Sequence, residues 1–434
     1  MTAAGAARAA TGAVASGRVA WWVGPVNGLM TPAARRGRRR PESSFRALQA
    51  RAARRTGLPE PADPQFLADL RVLHASFLAV QELSFIGLSG IRAELARHLS
   101  NRLRVRDLLR ANPQITSAPV PRPVFVVGLP RTGTTMLHAL LASAPGHRAP
   151  LLWELLDPCP QPGPQPGPGW PGGAGGADGS GRRVRDAERL AWLAYRAAPS
   201  LRVIHPMDAR APEECIFALP HHMAYHTRAR LPGYQDWYTR RDATGDYAYL
   251  RQQLQILQWQ QPPRRWILKS PIHLWHLDAL LRVFPDATIV WTHRDVLTAV
   301  ASWCSLAEVT RRLCNRRVDL HQLGRDWTQM WSQAVTRALR ARAAAAQPFL
   351  DVSYAQLTDA PLPALEALYS SLGAELTPAV RQQISSRAPT SPAGPRAHQH
   401  SAHHYSAHHY SAHHYSADRY GLTAEAIRDA FPGP

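Results

Sequence analysis

The feature that most constrains the fold is a stretch in which an apolar strand, a glycine-containing loop and a helix follow one another directly. Residues 124–127 are apolar and mostly β-branched, Gly128 and Gly133 bound the loop, and an apolar segment that starts at Met136 begins a helix. Backbone N–H groups of such a loop and the positive end of its helix can converge on one anion. The stretch predicts either a phosphate-binding loop in an α/β fold or a plain tight turn.

The spacing of the two glycines matches the first part of a Walker loop, but one residue is missing. Thr134 stands where a nucleoside triphosphatase carries a lysine, and Arg131 lies inside the loop. The loop can therefore hold a phosphate, but it lacks the point charge that reaches a γ-phosphate. A P-loop kinase or nucleotide hydrolase stays an alternative, and the missing lysine argues against it.

Lysine usage is unusual in this chain. Of 51 lysines and arginines, Lys269 is the only lysine. Lysine differs from arginine in being a compact charge whose proton can leave when the surroundings lower its pKa. A solitary lysine in an arginine-rich chain indicates a site where a guanidinium would not serve, the alternative being chance.

Positive charge is concentrated at the N-terminus. The formal net charge is +20, and residues 1–55 contain eleven arginines and one acid. We predict a basic, disordered tail over residues 1–60. A tail of this kind can contact nucleic acid or an anionic surface, so a non-enzymatic binder is a second alternative. The sequence favours a solvated extension with no specific nucleic-acid partner.

The rest of the chain, residues 61–434, is predicted to be a single α/β domain. Helices are expected over residues 61–112, as an N-terminal layer, and over most of residues 183–260. Two segments interrupt the pattern: a Pro/Gly-rich insertion at 158–181 and a His-rich repeat at 401–420, which we interpret as a loop and not as a metal site. Apolar runs at 266–268, 287–291 and 349–353 predict further strands. Helices between the strands imply right-handed crossovers and a parallel sheet.

Cysteine content and hydropathy indicate a cytoplasmic protein without a membrane span. Four cysteines occur, and their spacing fits neither a zinc site nor a disulfide framework. The apolar run at residues 19–23 is too short for a membrane span or a clear signal peptide.

Three charged or anion-binding features follow predicted strands. They are the loop at 128–133, Lys269, and Arg294 with Ser302 eight residues later. Ligands of open parallel sheets bind at the edge formed by the carboxyl ends of the strands. We therefore expect the three features to face one crevice.

These segments resemble the sulfotransferase family that uses 3′-phosphoadenosine 5′-phosphosulfate (PAPS), in its bacterial-type branch, over about residues 65–434. Residues 128–135 resemble the 5′-phosphosulfate loop of the family, and residues 292–295 with Ser302 resemble its 3′-phosphate segment. Residues 268–274 and 352–357 resemble two further family segments. The resemblance implies a three-layer, P-loop-like parallel sheet flanked by helices, with PAPS as co-substrate and no required metal.

The resemblance also implies roles for individual residues. Lys269 is expected to stabilise the bridging oxygen, or to donate a proton, as the S–O bond breaks. Arg131 is expected at the 5′-phosphate, and Arg294 with Ser302 at the 3′-phosphate, although Arg294 and Asp295 could instead form a structural ion pair. The residues implied to bind the donor are Gly128, Pro130, Arg131, Thr132, Gly133, Thr134, Thr135, Arg294, Ser302 and Tyr354.

A base must accept the proton of the acceptor, which is expected to be a hydroxyl, or an amine, of a small molecule or glycan. The resemblance implies a glutamate shortly after the first helix, or a histidine, in this role. Glu154 lies in about that region and is the first candidate, although a helix-surface acid is an alternative for it; His273, one helical turn after Lys269, is the second, and Glu214 is the third. No motif identifies the acceptor or the oligomeric state.

Overall fold

A five-stranded sheet lies at the centre of the computed structural model, which describes residues 19–59, 63–160, 180–387 and 417–432. The strand order is β2-β3-β1-β4-β5, and every neighbouring pair is parallel. The strands are β1 (Val124–Gly128), β2 (His147–Arg148), β3 (Arg265–Lys269), β4 (Thr288–His293) and β5 (Phe349–Ser353). The predicted parallel α/β sheet is confirmed, with the two-residue β2 as an addition.

Alternate residues of β1 enter two different apolar cores, one on each face of the sheet. Phe125 and Val127 join the larger core. Val124 and Val126 join a second core, which contains Leu137 of the helix after the loop. All five residues of β1 are buried, as expected for a central strand with helices on both faces. The predicted three-layer arrangement is therefore confirmed.

Most of the described residues outside the sheet are helical. The α-helices are α1 (Val23–Leu29), α2 (Thr31–Arg38), α3 (Pro41–Thr56), α4 (Pro64–Ala79), α5 (Phe85–Ala111), α6 (Gln114–Ser117), α7 (Thr134–Ala142), α8 (Leu152–Leu156), α9 (Ser180–Ala197), α10 (Leu201–Ile204), α11 (Pro232–Arg240), α12 (Thr244–Gln258), α13 (Leu277–Val283), α14 (Val296–Cys314), α15 (Leu320–Ala343), α16 (Tyr354–Asp359), α17 (Pro361–Ser371), α18 (Pro378–Arg387) and α19 (Ala424–Ala430). Shorter 3₁₀ turns cover Cys215–Phe217, Met223–Thr227, Pro271–His276 and Asp418–Tyr420.

The N-terminal segment differs from the predicted disordered tail. Residues 23–56 form helices α1 to α3, and the side chains of Phe45 and Leu48 on α3 are buried in the larger core. The Arg38 guanidinium donates hydrogen bonds to the carbonyls of Val80 and Leu83, at 3.2 and 2.9 Å. Over the described residues 19–59 the composition rule failed because Arg38 has backbone carbonyls as partners and the basic residues alternate with apolar residues that bury. Residues 1–18 of the predicted tail lie outside the described residues.

Two predicted segments fall mainly outside the described residues: the Pro/Gly-rich insertion at 158–181 and the His-rich repeat at 401–420. The helices predicted over residues 61–112 correspond to α4 and α5. No helix in the described part of the chain has the length and apolar character needed to cross a bilayer.

Candidate active site

The loop between β1 and α7 has the backbone conformation of a narrow anion cradle. Gly128 and Gly133 have φ values of 141° and 87°, and Arg131 between them has a φ of 71°. A Cβ on Gly128 would lie 2.4 Å from the hydroxyl oxygen of Thr292 on β4. Glycine is therefore required there both by the conformation and by the close approach of β4.

Thr132 and Thr292 brace this loop from inside. The Thr132 hydroxyl donates to the carbonyl of Leu129 at 2.7 Å and lies 2.5 Å from the Thr292 hydroxyl. Because both side chains are about 1% exposed, Thr132 shapes the loop with its side chain. Pro130 is also buried in the loop. Any contact of Thr132 with a ligand would be made by its backbone.

Helix α7 begins at Thr134, directly after Gly133. The first four N–H groups of a helix have no carbonyl partner within the helix, and they carry the positive end of its dipole. Thr134 and Thr135 lie in this first turn and follow the left-handed residue at 133. The turn can hold an anion at this edge of the sheet.

Lys269, at the end of β3, lies beside the first turn of α7. Its ammonium Nζ is 2.7 Å from Oε1 of Glu214 and 3.4 Å from Oγ1 of Thr135. The Ser270 hydroxyl donates to the other carboxylate oxygen of Glu214 at 3.1 Å. The Lys269 side chain is 1% exposed and that of Glu214 is 16% exposed. One carboxylate thus holds an ammonium and a hydroxyl against the loop.

The charges around Glu214 keep its carboxyl ionised. Burial alone would raise the pKa of the Glu214 carboxyl. The charges of Lys269 and His205, with hydrogen bonds from Lys269 and Ser270, outweigh burial and hold that pKa below its ordinary value. Glu214 is therefore a carboxylate at neutral pH.

Arg294 lies on the other side of the loop, just after β4. Its Nη1 donates to the backbone carbonyl of Arg131 at 2.9 Å, and its guanidinium carbon lies 4.0 Å from the ring centre of Tyr354. Arg131 Nε in turn donates to the hydroxyl of Ser302, on α14, at 3.0 Å. The Tyr354 ring also approaches Gly133, where an added Cβ would meet it at 3.2 Å. Two guanidiniums, a hydroxyl and an aromatic ring thus gather at this point.

Asp295 has a structural task next to Arg294. Its carboxylate accepts hydrogen bonds from the backbone N–H and the hydroxyl of Thr298, at 2.8 and 2.6 Å, and so caps the N-terminus of α14. Arg294 instead points to the loop, through its contact with Arg131.

Glu154, the first predicted base, lies in a structural ion pair. Its carboxylate is 2% exposed, pairs with the Arg148 guanidinium and accepts the backbone N–H of Leu151 at 2.9 Å. These contacts cap α8 and attach it to β2. The structure does not bring Glu154 into contact with Lys269, whose carboxylate partner is Glu214.

His273, the second predicted base, is buried behind Lys269. Its Nδ1 is 3.0 Å from the hydroxyl of Tyr247. Burial lowers the pKa of His273 to about 3, although the nearby charge of Glu214 acts in the opposite direction. A weakly basic imidazole without exposure is poorly suited to accept a proton from an acceptor molecule.

The sequence and the fold both match known sulfotransferases. A sequence model described as the sulfotransferase family matches residues 123–378. The crystal structure of sulfotransferase STF1 from Mycobacterium tuberculosis is 31% identical, with 89% of this chain and 97% of that chain covered and a TM-score of 0.72. The chain belongs to the sulfotransferase family. The structure of sulfotransferase STF9 from Mycobacterium avium is similar too, at 26% identity, with 88% and 94% coverage and a TM-score of 0.73.

A search of curated proteins finds no significant match to this sulfotransferase-family chain. Within the described ranges, His, Cys, Asp and Glu side chains form no group of three or more that could hold a metal ion.

Two residues of the site were ranked low or missed in the sequence. Glu214 was the third candidate base, although a sole lysine that becomes buried requires a carboxylate partner, and Glu214 lies in a segment that turns apolar directly after it. Thr292 was seen only as part of the Arg294 segment. A threonine at the end of a strand beside a glycine loop is the signal that could have identified its bracing role.

Proposed function

We propose that the chain transfers a sulfuryl group from PAPS to a hydroxyl or amine group of a small-molecule or glycan acceptor. Membership in the sulfotransferase family supports sulfuryl transfer in general. The observation that carries the finer proposal is the Lys269–Glu214 pair beside the first turn of α7, at the same sheet edge as Arg294.

The Arg294 side of the loop suits a 3′-phosphate. Arg294, Arg131 and Ser302 form one connected group, and guanidinium donors bind phosphate through charge-assisted hydrogen bonds. We therefore assign Arg131 to the 3′-phosphate, together with Arg294, whereas the sequence had suggested the 5′-phosphate. Tyr354 would flank the nucleotide next to Gly133.

The opposite side of the loop suits the 5′-phosphosulfate. Here the residues are the glycine cradle, the first-turn N–H groups of Thr134 and Thr135, and the Lys269 ammonium. A side chain at either glycine would meet its neighbours within 3.2 Å, so the cradle stays open to an anion only with glycine there. Together these groups can neutralise a leaving phosphate without a metal ion.

Each bond and proton of the proposed transfer can be assigned to one of these residues or to the substrates. The acceptor oxygen attacks sulfur, and its proton passes to the Glu214 carboxylate. The bond between sulfur and the bridging oxygen of the 5′-phosphate breaks, and adenosine 3′,5′-bisphosphate leaves. Lys269 stabilises the charge that develops on that oxygen. An anionic donor beside Lys269 would compete for the ammonium, which would raise the pKa of Glu214 toward that of a useful base.

The cysteines support a cytoplasmic location as part of the proposal. All four are free and buried. Structural disulfides are the usual solution in oxidising compartments, whereas free thiols are typical of a reducing one.

A calorimetric titration tests the donor assignment. We expect adenosine 3′,5′-bisphosphate to bind more tightly than ATP with magnesium. The reason is that Arg294 with Arg131 would bind its 3′-phosphate, while Lys269 and the glycine loop would bind its 5′-phosphate. Tighter, magnesium-dependent ATP binding would instead favour a kinase or nucleotide hydrolase. Binding of neither nucleotide would contradict both enzymes.

Two glutamate variants test the base. Glu214→Gln should reduce donor turnover, followed as release of adenosine 3′,5′-bisphosphate, by about 10²–10⁴-fold. Glu154→Gln is the matched variant, because it also removes a buried carboxylate charge next to a basic residue. It should retain turnover per folded molecule. The opposite pattern would return the role of base to Glu154.

A further inference from the structure

A cavity that is partly open to solvent lies among the helices outside the sheet. Its volume is about 520 Å³, and it is lined by residues at or near α4, α5, α11 and α12 and by the segment around His221. Asp246 on α12 lines the cavity, while the next residue, Tyr247, turns to His273 behind Lys269. The residues that line it include none of those assigned to the donor. The volume falls in the range of about 300–1,000 Å³ that is typical of small-molecule sites.

A chain of polar side chains runs along one wall of this cavity. Gln65 Nε2 donates to Asp69 at 2.7 Å, and Arg241 Nη2 donates to the other Asp69 oxygen at 2.8 Å. Arg241 also pairs with Asp246, whose second oxygen is 3.0 Å from Nδ1 of His221. An ionised carboxylate only accepts hydrogen bonds, so Nδ1 of His221 is the donor there. Nε2 is the other polar atom of the same ring.

Two atoms of these linked polar side chains have no hydrogen-bond partner within the described residues. They are Nε2 of His221 and Nε of Arg241, and both residues line the cavity. The two side chains are 1% and 9% exposed. Buried polar atoms are almost always hydrogen-bonded in native proteins, so two unpartnered atoms on the wall of one cavity are available to a polar ligand bound there. A hydroxyl group, which both donates and accepts, has the matching chemistry.

The charges of the lining select against ions. Four aspartates and two arginines line the cavity, and Arg282 pairs with one of the aspartates from outside, so a small negative formal charge remains that disfavours an anion. Each aspartate already has an arginine partner: Asp63 with Arg102, Asp69 and Asp246 with Arg241, and Asp242 with Arg282. A cationic ligand would therefore find no free carboxylate among them. The favoured ligand is neutral and polar.

The remaining walls are aromatic. Phe66, Trp237 and Tyr249 line the cavity. Aromatic rings supply apolar contact area with specific geometry, and the C–H groups of a sugar ring are a suitable partner for it. We propose that this cavity binds a neutral polyhydroxylated molecule of the size of one or two sugar rings. The inference does not depend on the proposed sulfuryl transfer.

The test is binding of maltose to the full-length chain, measured by saturation-transfer NMR and calorimetry. We expect saturable binding with a dissociation constant of about 1–10 mM. Glucose 6-phosphate should bind at least about tenfold more weakly than glucose, because the lining repels anions. No saturable binding of either neutral sugar, or equal binding of the phosphorylated one, would overturn the inference.

A pair of adjacent histidines supplies the variant and its control. His221→Phe removes the unpartnered ring nitrogen but keeps a planar ring, and it should weaken maltose binding about tenfold. His222→Phe is the control, because His222 is equally buried but stacks on Tyr225 and does not line the cavity. If His221→Phe does not fold, Trp237→Leu replaces it, with the same expected loss. Wild-type maltose affinity in the folded variant would refute the site.

Two further readouts separate the possible outcomes. Adenosine 3′,5′-bisphosphate should bind His221→Phe as tightly as the wild type, so that failure here and failure of the donor assignment are distinguishable. Free sugar and the glycosyl part of an acceptor have the same chemistry. If maltose competes with sulfuryl transfer to a glycosylated acceptor, the cavity holds the acceptor; if transfer is unaffected, it holds a separate sugar.

Discussion

The ion pair between Lys269 and Glu214 predicts that stability and turnover respond differently to the same substitutions. The two side chains are 1% and 16% exposed, so each single substitution leaves the other charge with little water. Glu214→Gln leaves the ammonium with a neutral amide oxygen in place of the carboxylate and with Thr135 Oγ1 at 3.4 Å, and Lys269→Met leaves the carboxylate with the Ser270 hydroxyl at 3.1 Å. Breaking a buried pair costs more than replacing both of its members by neutral groups.

We expect Glu214→Gln to lower the free energy of unfolding by about 3 kcal/mol, and Lys269→Met by about 2 kcal/mol, because the carboxylate keeps more solvent and one strong donor. The double variant should lose about 2–3 kcal/mol, not about 5, since the coupling between the two charges disappears with both. Equilibrium unfolding in urea at pH 7, followed by tryptophan fluorescence, measures all three losses.

Turnover of the same variants distinguishes a loss of stability from a loss of catalysis. All three should release adenosine 3′,5′-bisphosphate from the donor about 10²–10⁴-fold more slowly than the wild type, including the double variant with its partly restored stability. Additive losses of stability would refute the coupling inferred from the 2.7 Å contact. Wild-type turnover in the double variant would refute the catalytic assignment.

Three further predictions concern the loop edge and the buried imidazoles. Arg294→Ala should weaken adenosine 3′,5′-bisphosphate by about 10–100-fold in calorimetry but leave adenosine 5′-phosphosulfate, which has no 3′-phosphate, nearly unchanged. Burial lowers the pKa of His138 and of His273 to about 3. The unfolded chain therefore binds more protons below pH 6.5, and each histidine should remove about 2 kcal/mol of unfolding free energy between pH 7 and pH 5. Urea titrations at pH 7 and pH 5 should show that His273→Asn loses less unfolding free energy between these pH values than the wild type does. An equal loss would contradict the assignment of this pH dependence to His273. Gly128→Ala should cost about 3–5 kcal/mol, because it adds a clash to an unfavourable φ, whereas Gly146→Ala, with a φ of 74° and open space, should cost about 1–2 kcal/mol.

Local patterns in the sequence were sufficient to predict the centre of the fold. The strand, loop and helix at 124–142 are contiguous, so apolar runs and glycine positions define them without knowledge of distant contacts. Lys269 and Arg294 could also be located from the sequence, because each lies at or just beyond the end of a short apolar run. Once the strands are parallel, their carboxyl ends must share one edge.

Contacts between distant segments were not predictable in the same way. Glu214 meets Lys269 across 55 residues of sequence, and only the folded chain distinguishes it from Glu154. The two-residue β2 is too short to have an alternating pattern. The N-terminal helices were missed because charge composition predicts disorder, whereas Phe45 and Leu48 decide burial by their spacing on α3.

The central position of β1 sets a distance within the site. Since β1 pairs with β3 on one side and β4 on the other, Lys269 at the end of β3 and Arg294 just after β4 belong to strands that are two steps of the sheet apart, or about 10 Å. Main-chain hydrogen bonds fix that span, and no side-chain substitution shortens it. Exchanging residues at either end can change how far a charged group reaches and how firmly it holds an anion, but the spacing of the two strand ends is a property of the backbone.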